Sequence, residues 1–593
     1  MDADLRPSTA PFRDPRYAPR RLEVELRDGG EILLTNPAPF SRAFETTTAS
    51  LGHWAKATPD RVWLAERSGA SWRTVTFAEA WQRIAALAAG LQRLGVIGER
   101  PLLILARNGI DHALIAYAAM GQGMPVAPVS PQYALPGANL MRLTHACGAL
   151  NPAAVYTEDA ALFGEGLGAS CLAGLPVIAA AGARAGDIAL NALYGGAGAA
   201  PVARPDQHAK YLLTSGSTGL PKAVICTHRT MSVNVAQITA CFDDPEPPVL
   251  VHSAPWSHSL GANSILHYSA HRGGTLYIDA GQPTAARFGE TVRNLKEISP
   301  TYQNMVPAGW MLFAEELEKD DDLARRFFAR VRLLQYGGAA LGQATADRIQ
   351  AVAVRTVGER ISFGSGYGAT ETGPTACNVH WPNARMGMIG LPIPGTSVRL
   401  APEAGKLDFR VKGPQITPGY LGRPDLSAAA FDEEGFYRLG DAARFVEPGN
   451  PEAGMIFDGR LSENFKLVSG TFVSVGDLRI NAIGAIGDAV TDAVVCGEGE
   501  AAVGLLLYPN PTLSSAEIEA SVRTGLNGFN ARAKGAGGRV ARALVLPNGP
   551  EAAAGEITDK GYIAQSLARA HRAADVARLF ADPVPSDVMD FPA

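Results

Sequence analysis

Short apolar segments alternate with helix-like segments along this chain, and the apolar segments repeatedly end in glycine-bearing turns. Apolar residues recur at helical spacing over residues 77–96, and an apolar run at 101–109 then ends in Asn-Gly. Residues 111–123 favour a helix, and residues 124–131 favour a buried strand. This order predicts an α/β fold with doubly wound sheets, in which ligands bind at the carboxyl ends of the strands.

The length and the breaks in composition predict several structural units. At about 150 residues per domain, the 593 residues correspond to about four domain-sized units. The Ala/Gly-rich residues 181–206 indicate a loop or linker, and residues 449–466 indicate a boundary. We predict an irregular N-terminal arm over residues 1–40, an N-terminal domain over 41–460 and a C-terminal domain over 461–593.

Charge and cysteine usage argue against several classes of protein. The formal net charge is −5, so no basic surplus indicates binding to nucleic acid or to an anionic membrane. The six cysteines are far apart and form no CxxC pair, which predicts reduced thiols rather than a zinc site or a disulfide scaffold. The charged N-terminus lacks the apolar stretch of a secretion signal, and no apolar run reaches about 18 residues. We therefore expect a cytoplasmic protein without a membrane span; nothing in the sequence indicates an oligomeric state.

The string YLLTSGSTGLPKAV at residues 211–224 is the strongest local signal. An apolar strand leads into a loop of hydroxyl groups and glycines that ends in Pro221 and Lys222. Backbone N–H groups freed by glycine, hydroxyl donors and one lysine together suit phosphate. The spacing is not that of a Walker A loop, and neither Ser215 nor Ser217 lies in a GxSxG elbow. The string predicts phosphate binding, with a Gly/Ser surface loop as the alternative.

Five strings, in order, resemble the signatures of the adenylate-forming superfamily, which contains acyl-CoA synthetases, peptide-synthetase adenylation domains and luciferases. They are this loop, SGYGATETGP at 365–374, FYRLGDAARF at 436–445, FDGRLSENFKLVSG at 457–470 and GEITDKG at 555–561. Leu439 stands where many members have Thr. The resemblance covers nearly the whole chain. It implies a large N-terminal body with a small barrel-like subdomain, followed by a smaller, mobile α+β C-terminal domain.

Longer strings are similar to those of bacterial feruloyl-CoA synthases, which activate hydroxycinnamic acids. Examples are PVAPVSPQYAL at 125–135, HRGGTLYIDAGQPT at 271–284 and DGRLSENFKLVSGTFVSVG at 458–476. The resemblance implies an enzyme of aromatic acid catabolism that uses ATP, Mg²⁺ and coenzyme A. Its substrate would be ferulate or a related carboxylic acid, which it would convert through an acyl-adenylate into a CoA thioester.

The resemblance also implies nucleotide-binding residues. Glu371 would hold Mg²⁺, Thr370 would bind the α-phosphate, and Asp441 would accept hydrogen bonds from both ribose hydroxyls. Tyr367 and Gly368 would lie against adenine, and Arg460 would bind the ribose or a phosphate. The β- and γ-phosphates are assigned to Thr214, Ser215, Gly216, Ser217, Thr218, Gly219 and Lys222, and the adenine and acyl walls to Gly337, Gly338 and Ala339.

For the acyl and CoA side, the resemblance implies a second set of residues. Lys560 would bridge the substrate carboxylate and the α-phosphate, and His258 would lie between the acyl pocket and the CoA channel. Trp256, Asn263 and Tyr336 are further acyl-pocket candidates. The hinge and the loop toward CoA would contain Ser462, Lys466 and Gly470; many members have Asp or Lys in place of Ser462, and the segment between Lys466 and Gly470 is one residue longer than is common.

Ordinary structural roles stay open at these positions. Lys222 would also fit as a solvated lysine at the start of a helix, and Glu371 as a carboxylate at a helix N-terminus. Asp441 would also fit as a turn-forming residue, and Tyr367 and His258 would also fit as core residues. Alternative functions are a fatty-acid–CoA ligase, an adenylating enzyme that acylates a carrier protein, or a non-catalytic nucleotide-binding protein. The last is disfavoured because Lys222, Glu371, Asp441 and Lys560 are all present.

Overall fold

The computed structural model describes residues 9–41, 44–215, 221–338, 341–403, 405–533, 535–551, 554, 556 and 563–592, apart from the side chains of Ser215 and Ser462. Within these ranges the chain forms an N-terminal body with three sheets and a C-terminal region with a hairpin and one further sheet. No helix within them combines the length and apolar character needed to cross a bilayer.

The body contains 22 of the described strands and 12 of the described helices. The strands are β1 (Glu23–Leu26), β2 (Ile32–Thr35), β3 (Val62–Ser68), β4 (Ser71–Thr76), β5 (Leu102–Leu105), β6 (Val126–Pro128), β7 (Ala154–Asp159), β8 (Val177–Ala181), β9 (Ile188–Ala189), β10 (His208–Ser215), β11 (Pro221–Thr227), β12 (Val249–His252), β13 (Thr275–Ile278), β14 (Tyr302–Met305), β15 (Leu333–Tyr336), β16 (Ser362–Tyr367), β17 (Cys377–Asn378), β18 (Met388–Pro392), β19 (Ser397–Glu403), β20 (Lys406–Lys412), β21 (Tyr437–Glu447) and β22 (Asn450–Arg460). The helices are α1 (Thr47–Ala57), α2 (Phe77–Arg93), α3 (Ile110–Gly121), α4 (Leu140–Leu150), α5 (Gly164–Leu167), α6 (His228–Thr239), α7 (His267–Arg272), α8 (Phe288–Glu297), α9 (Pro307–Lys319), α10 (Asp321–Phe328), α11 (Gln343–Val357) and α12 (Pro424–Ala429), and a π-helix spans Leu260–Leu266.

A seven-stranded sheet carries the phosphate-loop string. Its order is β11-β10-β6-β5-β7-β8-β9, and the strands from β10 to β9 run parallel, whereas β11 pairs antiparallel with β10. Alternate residues of β5 enter two cores: Leu102 and Ile104 join the core that contains α2 and α3, and Leu103 and Leu105 join the core that contains α4. The sheet is therefore covered on both faces, which confirms the predicted α/β class.

Helix α2 illustrates how local sequence begins and orients an element. Thr76 and Glu79 form a reciprocal capping box at its N-terminus. Ile84, Leu87 and Leu91 are buried at a spacing of three to four residues, so one face of the helix packs into the core. The helix predicted over residues 77–96 is confirmed, although it ends at residue 93.

The expected barrel-like subdomain is wrong as a closed structure, because its strands belong to an open sheet. Eleven strands run in the order β1-β2-β19-β20-β21-β22-β18-β17-β16-β15-β14. The edge strands β1 and β14 do not pair with each other, so no closed barrel forms in the described ranges. Residues 1–40, expected to be irregular, contain the hairpin β1–β2, and β2 pairs with β19. A four-stranded sheet, β12-β13-β3-β4, completes the body.

The C-terminal region has its own sheet and core. Its elements are β23 (Phe465–Lys466), β24 (Phe472–Val473), α13 (Val475–Ile486), β25 (Val490–Cys496), β26 (Val503–Pro509), α14 (Ser515–Asn530), β27 (Val540–Val545), α15 (Gln565–His571), α16 (Ala573–Leu579) and β28 (Val588–Asp590). The sheet order is β25-β26-β27-β28, and Leu505, Val522 and Val540 lie in the core beneath it. Lys406 of the body meets this region, donating to Ser474 Oγ at 2.8 Å.

Candidate active site

A cleft of about 2490 Å³ lies where the body meets the C-terminal region. The ends of β15 and β16 form part of its wall, as expected for a ligand site at the carboxyl ends of parallel strands. From the C-terminal region, α13 and residues 563–567 line the same cleft. Both parts of the chain therefore contribute to one site.

The phosphate-loop string folds as the hairpin β10–β11. Thr214 of β10 pairs with Lys222 of β11, and both side chains line the cleft. Lys222 Nζ lies 5.1 Å from the centroid of the Tyr420 ring, so a cation–π contact holds it at the cleft wall. Because Lys222 is on a strand, the alternative of a lysine at a helix start is wrong. The predicted phosphate ligands Gly216, Ser217, Thr218 and Gly219, and the side chain of Ser215, lie outside the described residues.

The predicted Thr-Glu motif forms a 3₁₀ turn at Thr370–Thr372, directly after β16. Glu371 is buried, and its Oε1 accepts a hydrogen bond from Tyr420 Oη at 3.1 Å. Burial, together with the Glu371 charge, raises the pKa of both Tyr420 and Tyr437, so both phenols stay protonated. Thr370 Oγ1 shares a hydrogen bond of 3.1 Å with Ser259 Oγ of the segment before the π-helix.

Asp441, the predicted ribose ligand, is held by two neighbours. Tyr367 Oη donates to Asp441 Oδ2 at 2.6 Å, and Arg460 Nε lies 3.3 Å from Oδ1. The Asp441 charge raises the pKa of Arg460. The Tyr367 ring packs edge-on against Phe409, with centroids 5.1 Å apart. The structure thus brings the predicted adenine and ribose residues together, while adenine stacking by Tyr367 stays a prediction.

Glycines bring backbone close to this end of the cleft. Gly368 has φ 155°, and a Cβ there would lie 2.1 Å from Pro374 O, so a side chain does not fit. Gly337 and Gly338 line the cleft after β15. Ala339, assigned with them, lies outside the described residues.

Three of the four residues predicted for the acyl side line the cleft. His258 is half-buried, Trp256 is buried with its ring edge-on to His112, and Tyr336 is buried with its Oη accepting from Gly387 N at 2.9 Å. Asn263 does not line the cleft. It is 1 % exposed and bonded to Lys210 inside the protein, and its role as an acyl-pocket residue stays a prediction.

A buried polar cluster surrounds Asn263, and sequence reasoning missed it. Lys210 of β10 donates to Asn263 Oδ1 at 3.1 Å and to His267 Nε2 at 2.8 Å, and His267 Nδ1 lies 2.6 Å from Tyr117 Oη. Asn263 Nδ2 in turn donates to Gly373 O at 3.3 Å. The only local signal is a lysine inside an apolar strand, which by itself does not indicate its partners.

A deeper lobe of the cleft lies between the π-helix and the strands β14 and β15. Leu260 Cδ2 would lie 4.0 Å from a Cβ on Gly337, and the Tyr268 and Tyr302 rings are 6.4 Å apart. Leu260 of the π-helix thus lies near the end of β15, and Tyr268 of α7 lies near the start of β14. Leu260, Ser264, Tyr268, Tyr302, Asn304 and Gln335 all line the cleft.

Two polar atoms of this lobe have no hydrogen-bond partner among the described residues: Ser264 Oγ and Asn304 Oδ1. Asn304 is 4 % exposed, and to the described residues its Nδ2 makes two long bonds, of 3.4 Å to Tyr302 Oη and 3.5 Å to Gln335 Oε1. No motif marked these residues, because their strand and helix meet only in the folded chain.

The predicted hinge lies at the end of β22. Leu461–Glu463 forms a 3₁₀ turn that includes Ser462, whose side chain is outside the description. Lys466 and Gly470 are exposed on the β23–β24 hairpin and do not line the cleft. A role of this hairpin toward CoA stays a prediction.

The predicted catalytic lysine, Lys560, lies outside the described residues. Before it, the carboxylate of Glu556 is fully buried and accepts bonds from Tyr508, His571 and Arg572. Burial alone raises its pKa, but the bonds from Arg572 and His571 outweigh burial and lower the pKa of Glu556 to about 2.

Comparison with known families decides the membership of the chain. The family model described as AMP-binding enzyme matches residues 51–421, and that of the AMP-binding enzyme C-terminal domain matches residues 480–583. The chain belongs to the AMP-binding enzymes. Among relatives, "4-coumarate--CoA ligase 5" of Oryza sativa subsp. japonica is 27% identical over 63% of this chain and 69% of that protein. "Carboxylic acid reductase" of Mycobacterium marinum is 26% identical over 68% of this chain but 37% of that protein.

Solved structures share the fold of this AMP-binding enzyme. ATP-bound MatB from Rhodopseudomonas palustris superposes with a TM-score of 0.71 at 19% identity, over 90% of this chain and 99% of that one. The o-succinylbenzoate CoA synthetase MenE from Bacillus subtilis, in complex with its acyl-adenylate OSB-AMP, has a TM-score of 0.68 at 17% identity over 87% and 97% of the two chains.

Proposed function

We propose that this AMP-binding enzyme is an ATP-dependent, AMP-forming acid–CoA ligase. In the first half-reaction, a carboxylate oxygen of the acid attacks the α-phosphorus of ATP, pyrophosphate leaves, and an acyl-adenylate forms. In the second, the thiol sulfur of CoA attacks the acyl carbon, AMP leaves, and the thiol proton passes to solvent. The convergence of the Lys222 hairpin, the Glu371 turn and Asp441 in one cleft carries this proposal, and the relatives named as CoA ligases support it.

In this proposal, Lys222, Thr370, Glu371 and Asp441 form the nucleotide end of the cleft, and each binds a different part of MgATP. Lys222 and the hairpin loop bind the β- and γ-phosphates, Thr370 binds the α-phosphate, and Asp441 binds the ribose hydroxyls. Together they hold two anions in reacting position, where positioning and electrostatics dominate the rate.

Glu371 fits Mg²⁺ because it offers a buried carboxylate oxygen at the cleft wall, and Mg²⁺ prefers oxygen ligands from one or two carboxylates and substrate phosphates. The ion, when bound, offsets phosphate charge. Tyr420 orients the carboxylate that would hold it.

We propose ferulate or a related hydroxycinnamic acid as the substrate. The deep lobe supports this choice, because Ser264 and Asn304 line it and each has a buried oxygen without a hydrogen-bond partner among the described residues. Asn304 pairs across the sheet with Gln335, two residues before Gly337, so Asn304 lies about 7 Å deeper than Gly337 along the strand. A phenolic hydroxyl has both a donor for an acceptor such as Asn304 Oδ1 and an acceptor for a donor such as Ser264.

An apolar acyl chain would leave both atoms without a partner. Each buried polar group left unsatisfied costs about 1–3 kcal/mol, so a fatty acid is disfavoured in this lobe relative to a ring that carries a hydroxyl. The carboxyl end of the acid would lie toward Thr370 and Gly338, with the ring in the part of the cleft lined by Leu260, Ser264 and Asn304.

ATP–pyrophosphate exchange with a panel of acids tests the function. The panel contains ferulate, p-coumarate, unsubstituted cinnamate, benzoates and fatty acids, and products with CoA are identified by mass. We expect exchange and a CoA thioester with the hydroxycinnamates. Exchange with no acid would overturn the ligase in favour of a nucleotide-binding protein, and exchange with fatty acids alone would overturn the aromatic substrate. An adenylate that never yields a CoA thioester would point to a carrier-protein acceptor.

Lys560 is the residue that we assign to the bridge between the carboxylate and the α-phosphate. We expect Lys560→Ala to abolish adenylate formation while thioester formation from supplied acyl-AMP persists, because only the first half-reaction brings the two anions together. Lys534→Ala is the control, since that lysine stands in the string ARAKGAGGR, outside the GEITDKG motif. Exchange by Lys560→Ala at the normal rate would make the assignment wrong.

A further inference from the structure

We infer that Lys210 is a positioning residue, which holds the Thr370–Thr372 turn in register with the phosphate-loop strand through Asn263. The inference rests on the proposed function because adenylation is its readout. Lys210 does not line the cleft, so it would act on the reaction only through the residues it holds.

The contacts form one continuous path. Lys210 lies on β10, four residues before Thr214, and donates to Asn263 Oδ1. That bond orients the Asn263 amide so that Nδ2 donates to the carbonyl oxygen of Gly373. Gly373 is the residue that ends the Thr370–Thr372 turn. Two elements that meet the nucleotide from different sheets are thus joined by a single amide on the π-helix.

The path is buried throughout, which makes it sensitive to loss of a partner. Lys210 and His267 are each 3 % exposed and Asn263 is 1 % exposed. Without the lysine, Asn263 Oδ1 loses this donor in a buried region, and the bond to Gly373 O is left to orient the amide with one fewer partner. Removal of one member of a buried hydrogen-bonded pair costs more than removal of both.

No acidic side chain among the described residues forms an ion pair with the Lys210 ammonium. The titratable groups around it are His112 and Tyr117 of α3, Cys226 of β11, His228 of α6 and His267 of α7. Burial lowers the pKa of Lys210 to about 8. Burial also lowers the pKa values of the three histidines, and the lysine charge lowers them further.

The protonation states of Lys210 and His267 follow from these pKa shifts. Neutral His267 accepts from the ammonium at Nε2, so its own proton is on Nδ1 and faces Tyr117 Oη. When Lys210 loses its proton as the pH rises through about 8, the charge-assisted bonds to Asn263 and His267 weaken. The path is therefore strongest below pH 8 and weakens above it.

Steady-state pyrophosphate exchange across pH tests the inference, on protein whose wild-type exchange has first been established. We expect Lys210→Met to raise the KM for MgATP about tenfold and to leave the KM for the acid unchanged. The wild type should lose MgATP affinity above about pH 8, and Lys210→Met should lack this dependence.

Asn263→Ala and the double variant separate positioning from general destabilisation. Asn263→Ala should raise the KM for MgATP similarly, and Lys210→Met/Asn263→Ala should add nothing further, because both break one path. Gln350→Met is the matched control: Gln350 is 4 % exposed and joins α11 to Ile361, away from the cleft. It should lower stability but keep the pH dependence and the KM for MgATP.

Two results would overturn the inference while leaving the ligase intact. One is an Asn263→Ala enzyme that folds and keeps the wild-type KM for MgATP, a measurement that stands even if Lys210→Met does not fold. The other is a Lys210→Met enzyme that keeps the alkaline loss of MgATP affinity. Absence of exchange in the wild type would instead count against the proposed function.

Discussion

The two ends of the cleft satisfy their polar groups in different ways. At the nucleotide end, Asp441 is held by Tyr367 and Arg460, and Glu371 is held by Tyr420. In the lobe lined by the π-helix and β14, Ser264 Oγ and Asn304 Oδ1 have no hydrogen-bond partner among the described residues. Carboxylates bonded within the protein are oriented before a ligand arrives, whereas an unpaired atom forms its bond only with the ligand. On the proposed function, the fold therefore orients the carboxylates assigned to the nucleotide, whereas acid selectivity would depend on bonds that the acid completes.

The largest effect should come from the buried carboxylate of the nucleotide end. Glu371→Gln removes the charge that would hold Mg²⁺, and we expect adenylation to fall by about 100-fold or more. Asp408→Asn is the control, since Asp408 is an equally buried carboxylate, bonded to Arg410 at 2.6 Å, outside the cleft. Pyrophosphate exchange at varied Mg²⁺ measures the effect. Near-normal exchange by Glu371→Gln at low Mg²⁺ would contradict the assignment of the Glu371 carboxylate to Mg²⁺.

Asp441→Asn should have the next largest effect, confined to nucleotide binding. The variant keeps an acceptor for Tyr367 but loses the charge that strengthens bonds to the ribose, so we expect the KM for ATP to rise about 10- to 100-fold. Wild type should reject 2′-deoxy-ATP, and the variant should discriminate less between the two nucleotides. If Asp441→Asn keeps the full preference for ATP, Asp441 does not contact the ribose.

Asn304→Leu should change selectivity at the acyl end by about tenfold. Removing the unpaired acceptor should lower kcat/KM for p-coumarate and raise it for unsubstituted cinnamate, because the polar atom no longer needs a partner. The KM for ATP should stay unchanged, which provides an internal control. An unaltered ratio of the two acids would show that this lobe does not receive the ring.

Tyr420→Phe should have the smallest effect. It measures how much the hydrogen bond that orients the Glu371 carboxylate contributes to adenylation. The phenyl ring keeps the contact with Lys222 but removes one donor to Glu371. We expect adenylation to fall about two- to fivefold, since one neutral hydrogen bond to a carboxylate is lost while the carboxylate stays. Titration with Mg²⁺ should show weaker apparent binding. A loss as large as that of Glu371→Gln would mean that Tyr420 itself contacts the substrate.

Much of the nucleotide end was predictable because its residues stand in short contiguous strings. The Thr370–Glu371 turn, Asp441 beside Tyr367, and Thr214 opposite Lys222 all lie in or between motifs that the sequence displays. Short strings adopt local turns whose geometry depends mainly on neighbouring residues, so pattern and structure agree there. The antiparallel strand β11 was not predicted, because an apolar run after a glycine loop fits a strand and a helix equally well.

For Asn263, the motif did not predict which residues the side chain contacts. The string APWSHSLGAN suggested an acyl-pocket residue, yet the helix turns this side chain inward to Lys210, 53 positions away in sequence. Likewise, a sheet closes into a barrel only when its two edge strands pair, although they can be far apart in sequence. The edge strands β1 and β14 of the eleven-stranded sheet do not pair, so this sheet stays open.

The sequence by itself determined the α/β class and displayed the strings to which nucleotide binding is assigned, because strand–helix periodicity and turn residues act over a few neighbouring positions. Only the tertiary structure decided that Lys210 is buried and that Ser264 and Asn304 line one cleft. Burial and pairing between distant segments depend on how whole elements pack against each other, and no local pattern contains that information.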